Sequence, residues 1–203
     1  MRKGLWRADA PLVLASKSAV RRLLLEGAGI PVEIRPADID ERSMERAAPA
    51  RAPEDIARLL AREKARAVAA AMPNRIVVGA DQLLTFTGQR LSKPANRDAA
   101  RAQLRALRGR SHQLHSAVAI CRGQSLRYEH AETATLTMRD FSDDFLERYL
   151  DEAGEAVSES VGSYQLERAG IQLFDKVEGD YFAILGLPLL PLLKFLRAEG
   201  CLA

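Results

Sequence analysis

The chain is poor in cysteine, and the two it has, Cys121 and Cys201, lie far apart with no CxxC pair and no histidine cluster beside them. Neither a disulfide framework nor a zinc site is indicated, and a reduced, cytoplasmic setting is expected. Long apolar runs are missing too: the greasiest stretch, residues 185–196, is broken by Gly186, Pro188 and Pro191, well short of the ~20 residues of a membrane span. The basic start, Met1-Arg2-Lys3, precedes too short an apolar segment to read as a signal peptide. Nor is one sign of charge in excess. Thirty Lys and Arg face 27 Asp and Glu, a net charge of +3, and the two signs alternate rather than forming a concentrated basic face. A nucleic-acid partner is therefore not expected. No internal repeat or low-complexity tract is visible.

What is present is an ordinary alternation of strand and helix signals. Residues 11–15 form a short apolar run that reads as a buried strand, and Val32 to Asp38 as a second. An acidic loop, Asp38-Ile39-Asp40-Glu41, follows. Ala52-Pro53 opens a helix with Glu54 and Asp55 in its first turn, and its apolar stripe is expected to run through Ile56, Leu60, Ala67 and Ala71, with Lys64 inside it. A strand over residues 75–80 ends at Asp81-Gln82, and residues 83–86 continue the extended pattern to a turn at Thr87-Gly88. A helix from Asp98 to Arg108 precedes two alternating strands, 112–121 and 125–138. Ser142 opens a further helix that Gly154 stops. Residues 162–180 are expected to be extended, and a helix over 188–199 closes the chain. This predicts a mixed α/β fold: one domain over residues 11–203 behind an N-terminal extension of residues 1–10, with an elongated mixed sheet flanked by helices and room for two lobes around a cleft.

Two places carry charge where charge is expensive. In Ser16-Lys17-Ser18, followed by a helix with Ser18 as N-cap, Arg21 and Arg22 occupy the first helical turn. A helix N-terminus is already partly positive, so two guanidinium groups there suggest an anion held by the turn; the alternative is that both extend to solvent. Asp81 ends an apolar strand, where a carboxylate is costly unless paired or bound to metal. Glu41 could be its partner. Two carboxylates, several cations and an anion-binding turn suit Mg²⁺-assisted attack on a phosphate. His112, His115 and His130 form no metal-ligand pattern and read as structural.

In combination these segments resemble one family. Ala15-Ser16-Lys17-Ser18-Ala19-Val20-Arg21-Arg22 looks like the opening signature of the Maf family of nucleoside triphosphate pyrophosphatases. Asp40-Glu41, Ala61-Arg62-Glu63-Lys64-Ala65, Gly79-Ala80-Asp81-Gln82, Ser92-Lys93-Pro94, Gly109 with His112, Gly162-Ser163-Tyr164 with Gly170-Ile171, and Gly186-Leu187-Pro188 follow in the family's order. The resemblance implies a homodimeric, Mg²⁺-dependent enzyme (Mn²⁺ serving as an alternative) that cleaves a nucleoside triphosphate between its α and β phosphates. It makes Asp81 the proton acceptor for water and a helper in holding the metal, and Glu41 a metal ligand. Ser16, Arg21, Arg22, Lys64 and Lys93 become contacts to the triphosphate.

The resemblance also bears on the base through Val20, Gln82 and Glu167. The branch resembling dTTP/UTP pyrophosphatases has Asp-Thr where this chain has Asp81-Gln82, and Gly-Ile-Gln where it has Gln165-Leu166-Glu167. Gln82 and Glu167 look instead like the 7-methyl-GTP pyrophosphatase branch. A carboxylate can accept hydrogen bonds from the N1–H and 2-amino edge of guanine and suits a base made cationic by methylation. Val20 departs from that branch, which carries an aromatic there able to stack on a cationic base; Ala19 departs as well, standing in place of proline, and Ser116-Ala117 in place of Thr-Gly. The alternatives are a dTTP/UTP pyrophosphatase with the same mechanism and a nucleotide-binding regulator of septum formation.

Overall fold

Continuous apolar runs make parallel strands, because such strands are buried on both faces. The run at residues 11–15 becomes β1 (Leu12–Leu14), every residue of which is buried. The computed structural model describes residues 4–47 and 52–203. After β1 come α1 (Ala19–Gly27), β2 (Val32–Ile34), α2 (Glu41–Arg46), α3 (Pro53–Ala71) and β3 (Val77–Phe86). The chain continues through β4 (Gln89–Leu91), α4 (Arg97–Leu107), β5 (Ser111–Arg122), β6 (Ser125–Met138) and α5 (Asp143–Ala153). Three 3₁₀ turns, Gly154–Ser158, Val161–Ser163 and Ala169–Leu173, lead to β7 (Phe174–Glu178), α6 (Tyr181–Ile184) and α7 (Leu189–Ala198).

The fold is a single mixed α/β sheet with helices. Its seven strands run in the order β2-β1-β3-β5-β6-β7, with β4 paired to β3. β1 is parallel to both β2 and β3, as the helical crossovers require, whereas β4 and β7 pair antiparallel. The turn between β3 and β4 has Thr87 at φ 50° and Gly88 at φ 77°; two positive-φ residues are what a tight hairpin turn matching strand twist demands. The residues cluster into two compact units: Met1–Gln82 with Ser116–Glu132 and Gly186–Ala203, and Leu83–His115 with Thr133–Leu185. In the first unit, β1 and the apolar face of α3 supply much of the buried surface. Residues 5–7 of the N-terminal extension lie against the last residues of the chain there, through a Trp6–Leu202 bridge and an Arg7 N–H to Cys201 carbonyl bond of 2.9 Å. The second unit encloses its own core, including Leu104, Leu136, Met138, Leu146, Tyr164 and Leu173.

Most helix starts follow their local signals. Ser18, Asn96 and Ser142 cap α1, α4 and α5 with side-chain oxygens. Elsewhere the structure corrects the expectation. The second strand ends at Ile34 rather than Asp38; Pro36 cannot donate to a ladder. Asp40 does not sit in a loop but caps α2, accepting from Ser43 N at 3.0 Å. The buried stripe of α3 runs through Ile56, Ala57, Leu60, Ala61, Lys64, Ala65 and Val68, and Ala67 and Ala71 are exposed; alanine suits either face and does not report phase. Residues 162–180 are not extended throughout, because Gly162 (φ 78°) and Ser163 (φ 65°) turn the chain and only Phe174–Glu178 forms a strand.

One glycine governs the packing of α3 on β3. A Cβ at Gly79 would lie 2.0 Å from the Ala61 carbonyl oxygen and 2.7 Å from the Ala65 nitrogen, both rigid backbone. Gly79→Ala should therefore destabilise by about 3 kcal/mol through forced overpacking, lowering the thermal midpoint by roughly 6–12 °C. Calorimetry of the purified variant tests this, and an unchanged midpoint would contradict the close approach.

Candidate functional site

The α3–β3 contact delivers a cation to a buried carboxylate. Lys64 lies in the buried stripe of α3, and its Nζ sits 2.6 Å from Asp81 Oδ1 on β3 and 2.9 Å from Glu41 Oε2 at the start of α2. Asp81 is only 6% exposed. Burial raises its pKa above the ordinary carboxylate value, while the charges of Lys64 and Arg21 pull it back down. Asp81 Oδ2 is buried with no hydrogen-bond partner among the described residues. An unsatisfied carboxylate oxygen of this kind is costly, unless it is there to receive a cation or a proton. Together with the half-exposed Glu41 it offers the hard oxygen donors that Mg²⁺ prefers, and Mg²⁺ ordinarily takes only one or two carboxylates from protein, the rest being water and substrate oxygens. Among the described residues no group of three or more His, Cys, Asp or Glu that could hold a metal converges on one point.

The strand-to-helix turn after β1 closes on the same strand. Ser16 Oγ accepts from Ser18 N at 3.2 Å and from Arg21 Nη1 at 3.1 Å. Arg21 also donates from Nη1 to the Ala80 carbonyl and from Nε to the Gly186 carbonyl, each at 2.8 Å. Its guanidinium thus ties α1 to the peptide that precedes Asp81. Burial lowers the pKa of Arg21, opposed by the charges of Asp81 and Glu41. Arg22 does not join it. That side chain is half-exposed, with its Nε 3.7 Å from Glu26 one helical turn on. The two arginines therefore separate, one into the site and one to solvent.

Ser16, Arg21, Glu41, Lys64 and Asp81 are brought together within the first unit, which also holds Val20, half-buried on α1, and Gln82. Gln82 Nε2 donates to Ser116 Oγ on β5 at 2.9 Å. Nothing near Ser116 in the chain marks it as a partner; only the β3–β5 pairing reveals it. Lys93, in the exposed segment after β4, and Glu167, exposed in a turn before Ala169–Leu173, belong to the second unit. Each histidine has a side-chain partner: His112 Nε2 lies 2.7 Å from Tyr164 Oη, His115 bridges the Thr85 and Thr133 hydroxyls, and His130 pairs with Glu132.

Comparison with known proteins covers the segments that carry these residues. The chain matches the family of Maf-like proteins over residues 11–199. It is 53% identical over 199 residues to a protein of Nitrobacter winogradskyi named nucleoside triphosphate pyrophosphatase, covering 98% of each chain. A protein of the same name from Bradyrhizobium diazoefficiens is 52% identical over 200 residues, covering 98% of this chain and 99% of that one. One from Paramagnetospirillum magneticum is 50% identical over 190 residues, or 93% of this chain and 98% of that one. With relatives half-identical along nearly their whole length and a family match that takes in the Ser16–Arg21 turn, Lys64 and Asp81, this chain belongs to the Maf family.

Proposed function

We propose that this chain is a nucleoside triphosphate pyrophosphatase that hydrolyses the α–β phosphate bond, releasing a nucleoside monophosphate and pyrophosphate. The observation that carries the reading is the buried Asp81 carboxylate, paired to Lys64 through one oxygen and with no hydrogen-bond partner at the other among the described residues. A divalent cation held by Asp81 and Glu41, Mg²⁺ or Mn²⁺, would neutralise triphosphate charge and acidify water. Asp81 takes the proton from the attacking water, a task for which a carboxylate with a raised pKa is better matched than an ordinary one. Lys64, between two carboxylates, fixes their separation and offers positive charge to the phosphates. Arg21 holds the Ala80 carbonyl and adds positive charge to offset that of the phosphates. Ser16 and Lys93 complete the contacts to the triphosphate, and Arg22 acts at longer range. In-line phosphoryl chemistry asks mainly for such positioning and charge stabilisation.

For the base, 7-methyl-GTP is the substrate this reading favours, with Glu167 accepting from the guanine edge and Gln82 held in place by Ser116. Val20 supplies apolar surface but no stacking face. The protein acts as a homodimer on a free nucleotide, in the cytoplasm, without nucleic acid. The experiment is pyrophosphate release across 7-methyl-GTP, GTP, dTTP, UTP and CTP with Mg²⁺ and after chelation. Selective, chelator-sensitive turnover of 7-methyl-GTP is expected; turnover of dTTP and UTP alone would move the assignment to the pyrimidine branch, and nucleotide binding without release would favour a regulator of septum formation.

Asp81→Asn should keep the fold by circular dichroism and lose roughly 10²–10⁴-fold in kcat, the usual contribution of a positioned general base. A folded, fully active variant would refute the mechanism. Gln82→Thr combined with Glu167→Gln should shift the kcat/KM ratio toward UTP. An unmoved ratio would remove both residues from base recognition.

A further inference from the structure

In the proposed function Glu167 reads the base, and a positioning role for its neighbours rests on that reading. A carboxylate that discriminates between bases must be held still, yet Glu167 is exposed and lies in neither strand nor helix. It occupies the third position of a turn, residues 165–168, closed by the Arg168 N–H to Gln165 carbonyl bond of 3.1 Å. Its downstream end is held by contact: a Cβ at Gly170 would lie 2.4 Å from the Gln165 carbonyl oxygen. Only a glycine allows the chain to fold back so closely on the turn's first residue.

The upstream end is held by a buried polar cluster. Tyr164, immediately before the turn, is buried with its hydroxyl 2.7 Å from His112 Nε2, and its ring meets the Phe174 ring edge-on at 4.8 Å. The Tyr164 carbonyl accepts from Ser160 Oγ at 2.5 Å. Ser163, at φ 65°, donates from Oγ to Gln103 and accepts at its carbonyl from Tyr149 Oη at 3.0 Å. Of these hydrogen bonds, the one to His112 reaches a strand of the sheet, β5, and the others reach helices or the segment itself; the Phe174 ring adds an apolar contact from the start of β7. His112 is 2% exposed, its Nδ1 has no hydrogen-bond partner among the described residues, and desolvation lowers its pKa to about 4. The imidazole is therefore neutral at physiological pH, and its side-chain hydrogen bond goes to the tyrosine.

We infer that the His112–Tyr164 hydrogen bond is a positioning device that sets the 165–168 turn, and with it Glu167, against β5, so that it governs nucleotide selectivity rather than turnover. Packing of the Tyr164 ring supplies stability; the hydroxyl fixes where along β5 the turn begins. Rings alone tolerate sliding, whereas a buried hydrogen bond does not.

Tyr164→Phe separates the two contributions, since it keeps the ring and deletes the hydroxyl. Losing one buried hydrogen bond and stranding its partner corresponds to roughly tenfold in an equilibrium, so the KM for 7-methyl-GTP should rise by about that factor while kcat, and both constants for UTP, stay within about twofold. In a Glu167→Gln background the same change should alter the 7-methyl-GTP to UTP ratio no further. His112→Phe should reproduce the effect from the other side of the bond, which guards against a folding defect peculiar to one variant. Amide exchange measured by NMR without nucleotide supplies the independent arm: the Arg168 N–H should exchange faster in Tyr164→Phe while β5 amides remain protected. Unchanged Arg168 exchange, or an equal loss of activity on every nucleotide, would overturn the inference. If Glu167→Gln alone leaves selectivity untouched, the role of Glu167 in reading the base is what fails, and the exchange rates still show whether the bond holds the turn.

Discussion

The pairing of Asp81 with Lys64 is the constraint around which the first unit is organised. A carboxylate buried at a sheet strand costs several kcal/mol if left without a counter-charge, and an ammonium in the stripe of a packed helix costs as much. Each is tolerable only because the other is 2.6 Å away. That distance exists because α3 rides on β3 at Gly79, where a single methyl group would strike helix backbone. Packing and electrostatics are thus one problem here: the helix approaches closely enough to deliver Lys64, and the ion pair offsets the cost of burying Asp81. Glu41 enters on the same ammonium from the first residue of α2.

Arg21 extends this logic to the strand-to-helix turn. A guanidinium at a helix N-terminus opposes the helix dipole, but this one commits two nitrogens to the Ser16 hydroxyl and the Ala80 and Gly186 carbonyls. The result locks the end of β1, the residue before Asp81 and the segment entering α7 into one arrangement. Charges placed this way need little reorganisation when a polyanion arrives. The proposed base-reading residue is held differently, on a turn clamped by a glycine contact at one end and a buried tyrosine at the other. Strand and helix carry Asp81, Lys64 and Arg21, and a turn carries Glu167. Turns tolerate substitution without disturbing the sheet.

Much of this was legible from residue order. Caps at Ser18 and Ser142 and the Thr87-Gly88 turn act through the nearest few residues, so the chain itself announces them. Asp81 stood out because a carboxylate after Ile76-Val77-Val78-Gly79-Ala80 needs a reason to be there. What misled was residue chemistry without phase or direction. Ala67 and Ala71 fit a buried stripe as well as a solvated face, and two adjacent arginines look alike until the helix turns one inward and one outward. Residues 162–180 read as extended because positive φ at Ser163 has no signature in a serine.

By itself the sequence determined the mixed α/β class, the starts of α1, α3 and α5 and the charged residues that would need partners, because those follow from local sterics, short-range hydrogen bonds and the expense of burying charge. Tertiary structure alone decided which partners they found. Lys64 to Asp81, Arg21 to Gly186, Gln82 to Ser116 and Tyr164 to His112 span from 17 to 165 residues of chain. Such contacts depend on strand order and helix approach, which arise from the packing of the whole core and leave no mark on either residue's neighbours.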